Sequence, residues 1–193
     1  MKNLFDIHRF IYFVKYFFIF IRSFVFYGWR FSKVGYGCVF RGFINLEYPK
    51  CFNFGRGVRI LGGARMEAIC YRGSVKYNPK IIFGDSVNVG HNFFLTCANK
   101  ITIGDNVLIS DSVAIIDNFH DHLDIPDDII RSRIHSKPII IGNNVTIYRC
   151  ATILGGVTIG QNSIIGAYSL VKSDVPPNCL VVGIPARVVK IIR

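Results

Sequence analysis

From Ile141 onward aliphatic residues return every six positions, at Ile141, Ile147, Ile153, Ile159, Ile165 and Val171. The blocks read IGNNVT, IYRCAT, ILGGVT, IGQNSI, IGAYSL and VKSDVP, and the fifth position is always Val, Ala or Ser. The same pattern recurs upstream. IGDNVL, ISDSVA and IIDNFH begin at Ile103, Ile109 and Ile115. FGDSVN, VGHNFF and LTCANK begin at Phe83, Val89 and Leu95, and looser copies start at Phe54 and Val34. A fixed period of this kind marks a repeat fold in which each unit buries the face its neighbour exposes. Each hexad is predicted to be a short strand plus a corner, with its first and fifth residues pointing into a narrow prism. Three hexads per turn give an all-β parallel β-helix of about six triangular coils over 34–176.

Glycine fills the second slot of the first hexad in every coil, at Gly35, Gly55, Gly84, Gly104, Gly142 and Gly160. A corner favours a residue free of Cβ strain, and the glycines are assigned to that need. Two insertions break the phase. The larger, 117–138 (DNFHDHLDIPDDIIRSRIHSKP), is polar and charged, and an excursion of that length from a strict repeat points to function.

Residues 1–33 follow another pattern, predicted to be helical, and 177–193 form a C-terminal extension. Aromatics crowd positions 4–31, interrupted by Arg9, Lys15, Arg22 and Arg30. The longest apolar stretch, Tyr16–Ile21, is far short of the ~20 residues a spanning helix needs, and no small-residue cleavage site follows. Two readings stand: a helix lying in an anionic membrane interface, or a helix packed on the body of the protein or a neighbouring subunit.

Lys plus Arg number 23 against 12 acids, a net charge of +11 over 193 residues. That excess suits nucleic acid, an anionic membrane or a phosphate-rich ligand. No helix-turn-helix, RNA-recognition or zinc motif is visible, so no nucleic-acid partner is expected. The six cysteines form no CxxC pair and sit in apolar sequence, which points to a reducing cytoplasm, with the inner membrane face as the place of any lipid contact.

The stretch KPIIIGNNVTIYRCATILGGVTIGQNSIIGAYSLVKSDVPPNCLVVGIPARVVK resembles the C-terminal coils of hexapeptide-repeat O-acetyltransferases. The resemblance covers about Phe83–Arg193, through the IGDNV…H…KPIIIGNNV frame and the VGIPARVVK ending. It implies the left-handed prism, against the usual right-handed crossover. It also implies a homotrimer and transfer of acetyl from acetyl-CoA to a sugar hydroxyl, with no metal. The basic aromatic N-terminus is more similar to members acting on O-antigen or capsule, so a cell-surface polysaccharide or its precursor is the expected acceptor. A small sugar or an antibiotic hydroxyl is the alternative.

By the same resemblance the general base falls at His120, with His122 two residues on. A sugar hydroxyl is a weak nucleophile, and an imidazole titrating near neutrality can take its proton. Asp117, at the end of the last regular strand, is chosen to fix the imidazole over the loop acids Asp121 and Asp124. Several relatives carry Asn where this chain has Gly90, and His91 or Asn92 substitutes as the acceptor contact; His135 is a further candidate lining residue. Positions matching the acetyl-CoA groove are Arg149, Ala167, Lys172, Ser173, Arg187 and Lys190. Arg149 and Tyr148 depart from the small residues usual there. Two readings of another class are a non-enzymatic β-helix scaffold and a γ-type carbonic anhydrase, which needs three His converging on zinc.

Overall fold

A computed structural model describes residues 9, 11, 14, 17–19, 21, 23–120 and 134–192. The chain winds as a left-handed β-helix. The first face stacks Lys33–Val34, Phe52–Phe54, Lys80–Phe83, Lys100–Ile103, Ile139–Ile141 and Thr158–Ile159. The second stacks Val39–Phe40, Arg59–Ile60, Asn88–Val89, Leu108–Ile109, Thr146–Ile147 and Ile164–Ile165. The third stacks Asn45–Glu47, Arg65–Ala68, Phe94–Cys97, Ala114–Ile116, Thr152–Leu154 and Leu170–Val171. Neighbours within each face are parallel, and each coil visits the three faces in order. Beyond the sixth coil the stack continues: Val175 bridges to Ile159, Cys179–Gly183 extends the second face, and Ala186–Ile191 folds back antiparallel on it.

Register turns the hexad phase into columns. Phe54, Phe83, Ile103 and Ile141 stack on the first face, and Ile60, Val89, Ile109 and Ile147 on the second, all buried. The fifth positions also point inward: Val58, Val87, Val107, Val145 and Ser163 are buried, and Phe93 is the large exception. With parallel strands about 4.8 Å apart, every coil covers the apolar rim of the next.

The glycine column has another cause than corner strain. None of Gly35, Gly55, Gly84, Gly104, Gly142 or Gly160 has a positive φ. A Cβ on Gly84 would lie 2.7 Å from the carbonyl carbon and oxygen of Gly104, so the demand is close approach between coils. The left-handed residue comes two positions later, at Gly37, Gly57, Ser86, Asn106, Asn144 and Asn162. There the asparagines form a ladder: Nδ2 of Asn106 donates to Oδ1 of Asn144 (2.9 Å), Asn144 to Asn162 (3.0 Å) and Asn162 to Asn178 (2.8 Å).

The open N-terminal end of the prism is capped. Tyr27 and Phe31 are buried against Phe40, Phe52 and Phe54, with ring centroids 4.7–6.2 Å apart. The Ser23 hydroxyl accepts the Phe40 amide hydrogen at 2.9 Å. A one-turn π-helix, Phe24–Gly28, carries the cap. Within and beside it, Phe17, Phe18, Val25, Phe26 and Trp29 are 52–72% exposed. No described helix is long and apolar enough to cross a membrane.

Candidate active site

Two insertions leave the prism at one edge, between the third and first faces. The smaller is an antiparallel hairpin, Tyr71–Arg72 with Val75–Lys76, between the second and third coils. The larger opens with Asn118–His120, which pairs antiparallel with Ile134–Ser136. Residues 121–133, including His122, Asp121 and Asp124, lie outside the described residues. In this ribbon Phe119 opposes His135 and His120 opposes Ile134. Side chains alternate faces along a strand, so the stacked pair Phe119–His135 (5.7 Å between centroids) faces away from His120. His135 is therefore not on the side of the base.

Tyr77, just after the smaller hairpin, ties the insertions together. Its hydroxyl accepts the Ile134 amide hydrogen at 3.2 Å and lies 3.4 Å from the Ile134 carbonyl oxygen. Arg72 reaches His120, with Nη2 3.5 Å from Nδ1 and 3.4 Å from Nε2. The near-equal distances place this nitrogen over the ring face, because an in-plane bond shortens one distance and lengthens the other. Neither Arg72 nor Tyr77 belongs to a hexad. The only trace in the sequence is the longer spacing from Phe54 to Phe83, against 20 residues from Phe83 to Ile103.

Asp117 departs from the expected role. It is fully buried, and its carboxylate accepts the amide hydrogens of Ala98 and Asn99, both at 2.8 Å, and an Nδ2 hydrogen of Asn118 at 3.0 Å. A carboxylate buried in the prism edge is held by backbone N–H donors, so Asp117 builds the turn from which the insertion rises instead of facing the imidazole. Burial, and then the neighbouring Asp117 charge, push the Cys97 thiol up from its ordinary value.

A second group occupies the edge between the second and third faces. The His91 amide donates to Asp111 Oδ1 at 2.6 Å, and His91 Nδ1 is 3.4 Å from the same oxygen. That amide bond, more than the imidazole and Arg149, holds the Asp111 carboxyl below its usual range. A Cβ on Gly90 would lie 2.6 Å from the Asp111 amide nitrogen, so this coil has no room for an Asn at 90. Asn92 has φ 54° and lies over Gly63 of the preceding coil. A groove of about 430 Å³ runs along the second face to this edge, lined by Val39, Arg59, Gly90, Leu108 and Asp111.

Arg149 and Ala167 continue the same edge, joined by the Tyr168 amide bonded to the Arg149 carbonyl at 3.0 Å. Tyr148 and Tyr168 stand exposed beside them. Lys172 and Ser173 follow Leu170–Val171 and lie toward the insertion edge. Arg187 and Lys190 are on the C-terminal strand, Lys190 beside a hollow of about 540 Å³ with Ile164 and Leu180. One chain thus separates Arg149 and Ala167 from His120, Lys172 and Ser173 by the width of the third face, on the order of 15–20 Å by strand rise, with Arg187 and Lys190 on the strand that extends the second face. Among the described residues no group of three metal-ligating side chains occurs.

Comparison with known proteins agrees with this architecture. The model "Bacterial transferase hexapeptide (six repeats)" matches residues 138–173. Galactoside O-acetyltransferase of Escherichia coli (strain K12) is 41% identical over 115 residues, 56% of this chain and 55% of that protein. WcaF of the same organism, named for an acetyltransferase role in colanic acid biosynthesis, is 31% identical over 135 residues, 69% of this chain and 71% of that protein. Among solved structures, a hexapeptide-repeat acetyltransferase of Vibrio cholerae O1 biovar eltor, complexed with acetyl coenzyme A, aligns with a TM-score of 0.59 at 26% identity. That alignment covers 86% of this chain and 74% of that one. The chain belongs to the hexapeptide-repeat transferase family. It spans little more than half the length of the galactoside enzyme it matches.

Proposed function

We propose that this protein is an O-acetyltransferase that moves acetyl from acetyl-CoA to a sugar hydroxyl of a cell-surface polysaccharide or its precursor, with His120 as general base. The observation that carries the reading is the placement of His120. It sits on a short strand clear of the prism, with Arg72 against its ring and its strand partner Ile134 tied to Tyr77. The imidazole takes the hydroxyl proton as the oxygen adds to the thioester carbonyl. The tetrahedral intermediate then expels the thiolate, which receives that proton from the imidazolium. The relatives named for galactoside and colanic acid chemistry support a sugar acceptor.

The working unit in this reading is a homotrimer. His120 on one protomer faces the groove at Gly90, His91, Asn92 and Asp111 on the next. Arg149, Ala167, Lys172, Ser173, Arg187 and Lys190 hold acetyl-CoA, the cations meeting its phosphates. The division of these residues between two edges of one chain supports an intersubunit site. Sedimentation velocity reports the trimer.

The N-terminal cap serves as a peripheral membrane contact on the cytoplasmic side. Between residues 7 and 46 there is no Asp or Glu, against Arg9, Lys15, Arg22, Arg30, Lys33 and Arg41. Exposed Phe17, Phe18, Phe26 and Trp29 complement that charge, as an interfacial helix requires.

The test of the central reading is thiol release from acetyl-CoA by the full chain with a panel of glycans. Wild type transfers acetyl to at least one, and His120→Ala lowers kcat by 10²–10⁴-fold with acetyl-CoA affinity retained. An undiminished rate in His120→Ala refutes the assignment.

A further inference from the structure

The insertion edge carries more positive charge than the base needs. Arg72 is half-buried, and among the described residues its Nε is buried with no hydrogen-bond partner. Its one described polar neighbour is His120, which it meets over the ring face and not along a nitrogen lone pair. A guanidinium has five donors in a planar fork, so this contact leaves most of that fork to another group. Withdrawing such a cation from water without a counter-charge is costly.

The surroundings sharpen the point. Lys80 and Lys100 are both exposed and stand directly opposite each other in parallel register at the start of the first-face strands, on this same edge. Like charges opposite each other destabilise a sheet. The described acid between them and the insertion is Asp117, whose carboxylate is committed to Ala98, Asn99 and Asn118. An underused guanidinium at the base, with two in-register lysines on the same edge, suits a substrate that carries negative charge close to the reacting hydroxyl.

We infer that Arg72 forms an anion subsite beside His120, and that the acceptor bears a carboxylate or phosphate on or next to the sugar that is acetylated. The guanidinium grips that group with its fork and holds the neighbouring hydroxyl against the imidazole. Lys80 and Lys100 raise the local potential and draw the anionic chain to the edge. The inference rests on the transferase reading for its purpose, and its binding component is measurable without turnover.

The experiment compares methyl glucoside, methyl glucuronide and glucose 1-phosphate as probes of neutral, carboxylate and phosphate acceptors. Binding is followed by ligand-observed NMR and acetylation by thiol release, in wild type, Arg72→Gln, Arg72→Lys and Lys100→Gln. Wild type is expected to favour one of the two anionic probes over the neutral one by at least tenfold. Arg72→Gln removes that preference, mainly through KM, and leaves binding of acetyl-CoA unchanged. Arg72→Lys recovers part of it, and Lys100→Gln weakens it severalfold. The preferred anionic probe decides between carboxylate and phosphate. No anionic preference in wild type, or an equal loss on charged and neutral probes in Arg72→Gln, overturns the subsite. The second result would make Arg72 a support for His120, or a partner of the loop acids Asp121, Asp124, Asp127 and Asp128. If anionic probes bind through Arg72 and none is acetylated, the subsite stands and the transferase reading falls.

Discussion

The Tyr77 hydroxyl meets both backbone polar groups of Ile134, 3.2 Å from its nitrogen and 3.4 Å from its carbonyl oxygen, across 57 residues of sequence. Ile134 is in turn the strand partner of His120. The Tyr77 phenol thus links the segment after the smaller hairpin to the ribbon that carries the base.

Tyr77→Phe removes this link while keeping the ring. Net loss of a hydrogen bond is worth about 1 kcal/mol, so the prism stays folded. We expect kcat to fall about tenfold, and exchange of the Ile134 amide hydrogen to speed up. An unchanged exchange rate at Ile134 would show that the ribbon is held by other contacts.

The two corner columns predict opposite substitutions. Gly84→Ala forces a methyl against the Gly104 carbonyl, and overpacking of this kind costs about 1–3 kcal/mol. Asn144 has φ 58° and two ladder bonds. Asn144→Ala loses both and strains the left-handed corner by about 1–2 kcal/mol. Asn144→Gly loses only the bonds and is milder. Denaturant unfolding ranks the three; a tolerated Gly84→Ala would contradict the close-approach explanation.

Alkaline pH should weaken the fold through its thiols. Burial raises Cys38, Cys51 and Cys97 above the ordinary 9.0, Cys51 to about 11 with Cys70 beside it. An acid whose folded pKa is raised binds its proton more tightly in the native state. Its stabilisation is complete below pH 9 and is lost as pH rises through the folded value. Tm is therefore expected to drop steadily from pH 9 to 11, and Cys97→Ala to flatten part of that slope. A Tm constant over this range contradicts the burial of these thiols.

Removing the exposed aromatics of the cap should separate membrane contact from folding. Phe26→Ser with Trp29→Ser changes residues 62% and 72% exposed, leaving buried Tyr27 and Phe31 in place. Tm is expected to stay within a few degrees. Flotation with vesicles of 30% anionic lipid should fall at least fivefold from wild type. Equal flotation of both proteins would assign the exposed aromatics to another partner.

Coil number, strand phase and the inward columns were legible along the chain, because a prism of identical turns repeats its burial every six residues. The phase of Phe83, Ile103 and Ile141 reappears as one stacked column in the register. The glycine column was legible as a pattern but not as a cause. A sequence shows that Cβ is missing, whereas the clash it avoids lies with a residue one coil away, as Gly84 against Gly104. The bonds that hold Asp117 were hidden for the same reason, since its amide donors belong to the preceding coil.

The periodic part of this protein was therefore determined locally, each hexad stating its own strand, corner and inward residues. The surroundings of His120 were decided only in three dimensions. Arg72 and Tyr77 reach the insertion from an earlier coil, and the N-terminal segment divides its aromatics between the prism end and solvent. The physical reason is that the stack brings residues 48 and 57 positions apart into contact at a single edge, in segments where the period has lapsed and spacing carries no information about neighbours.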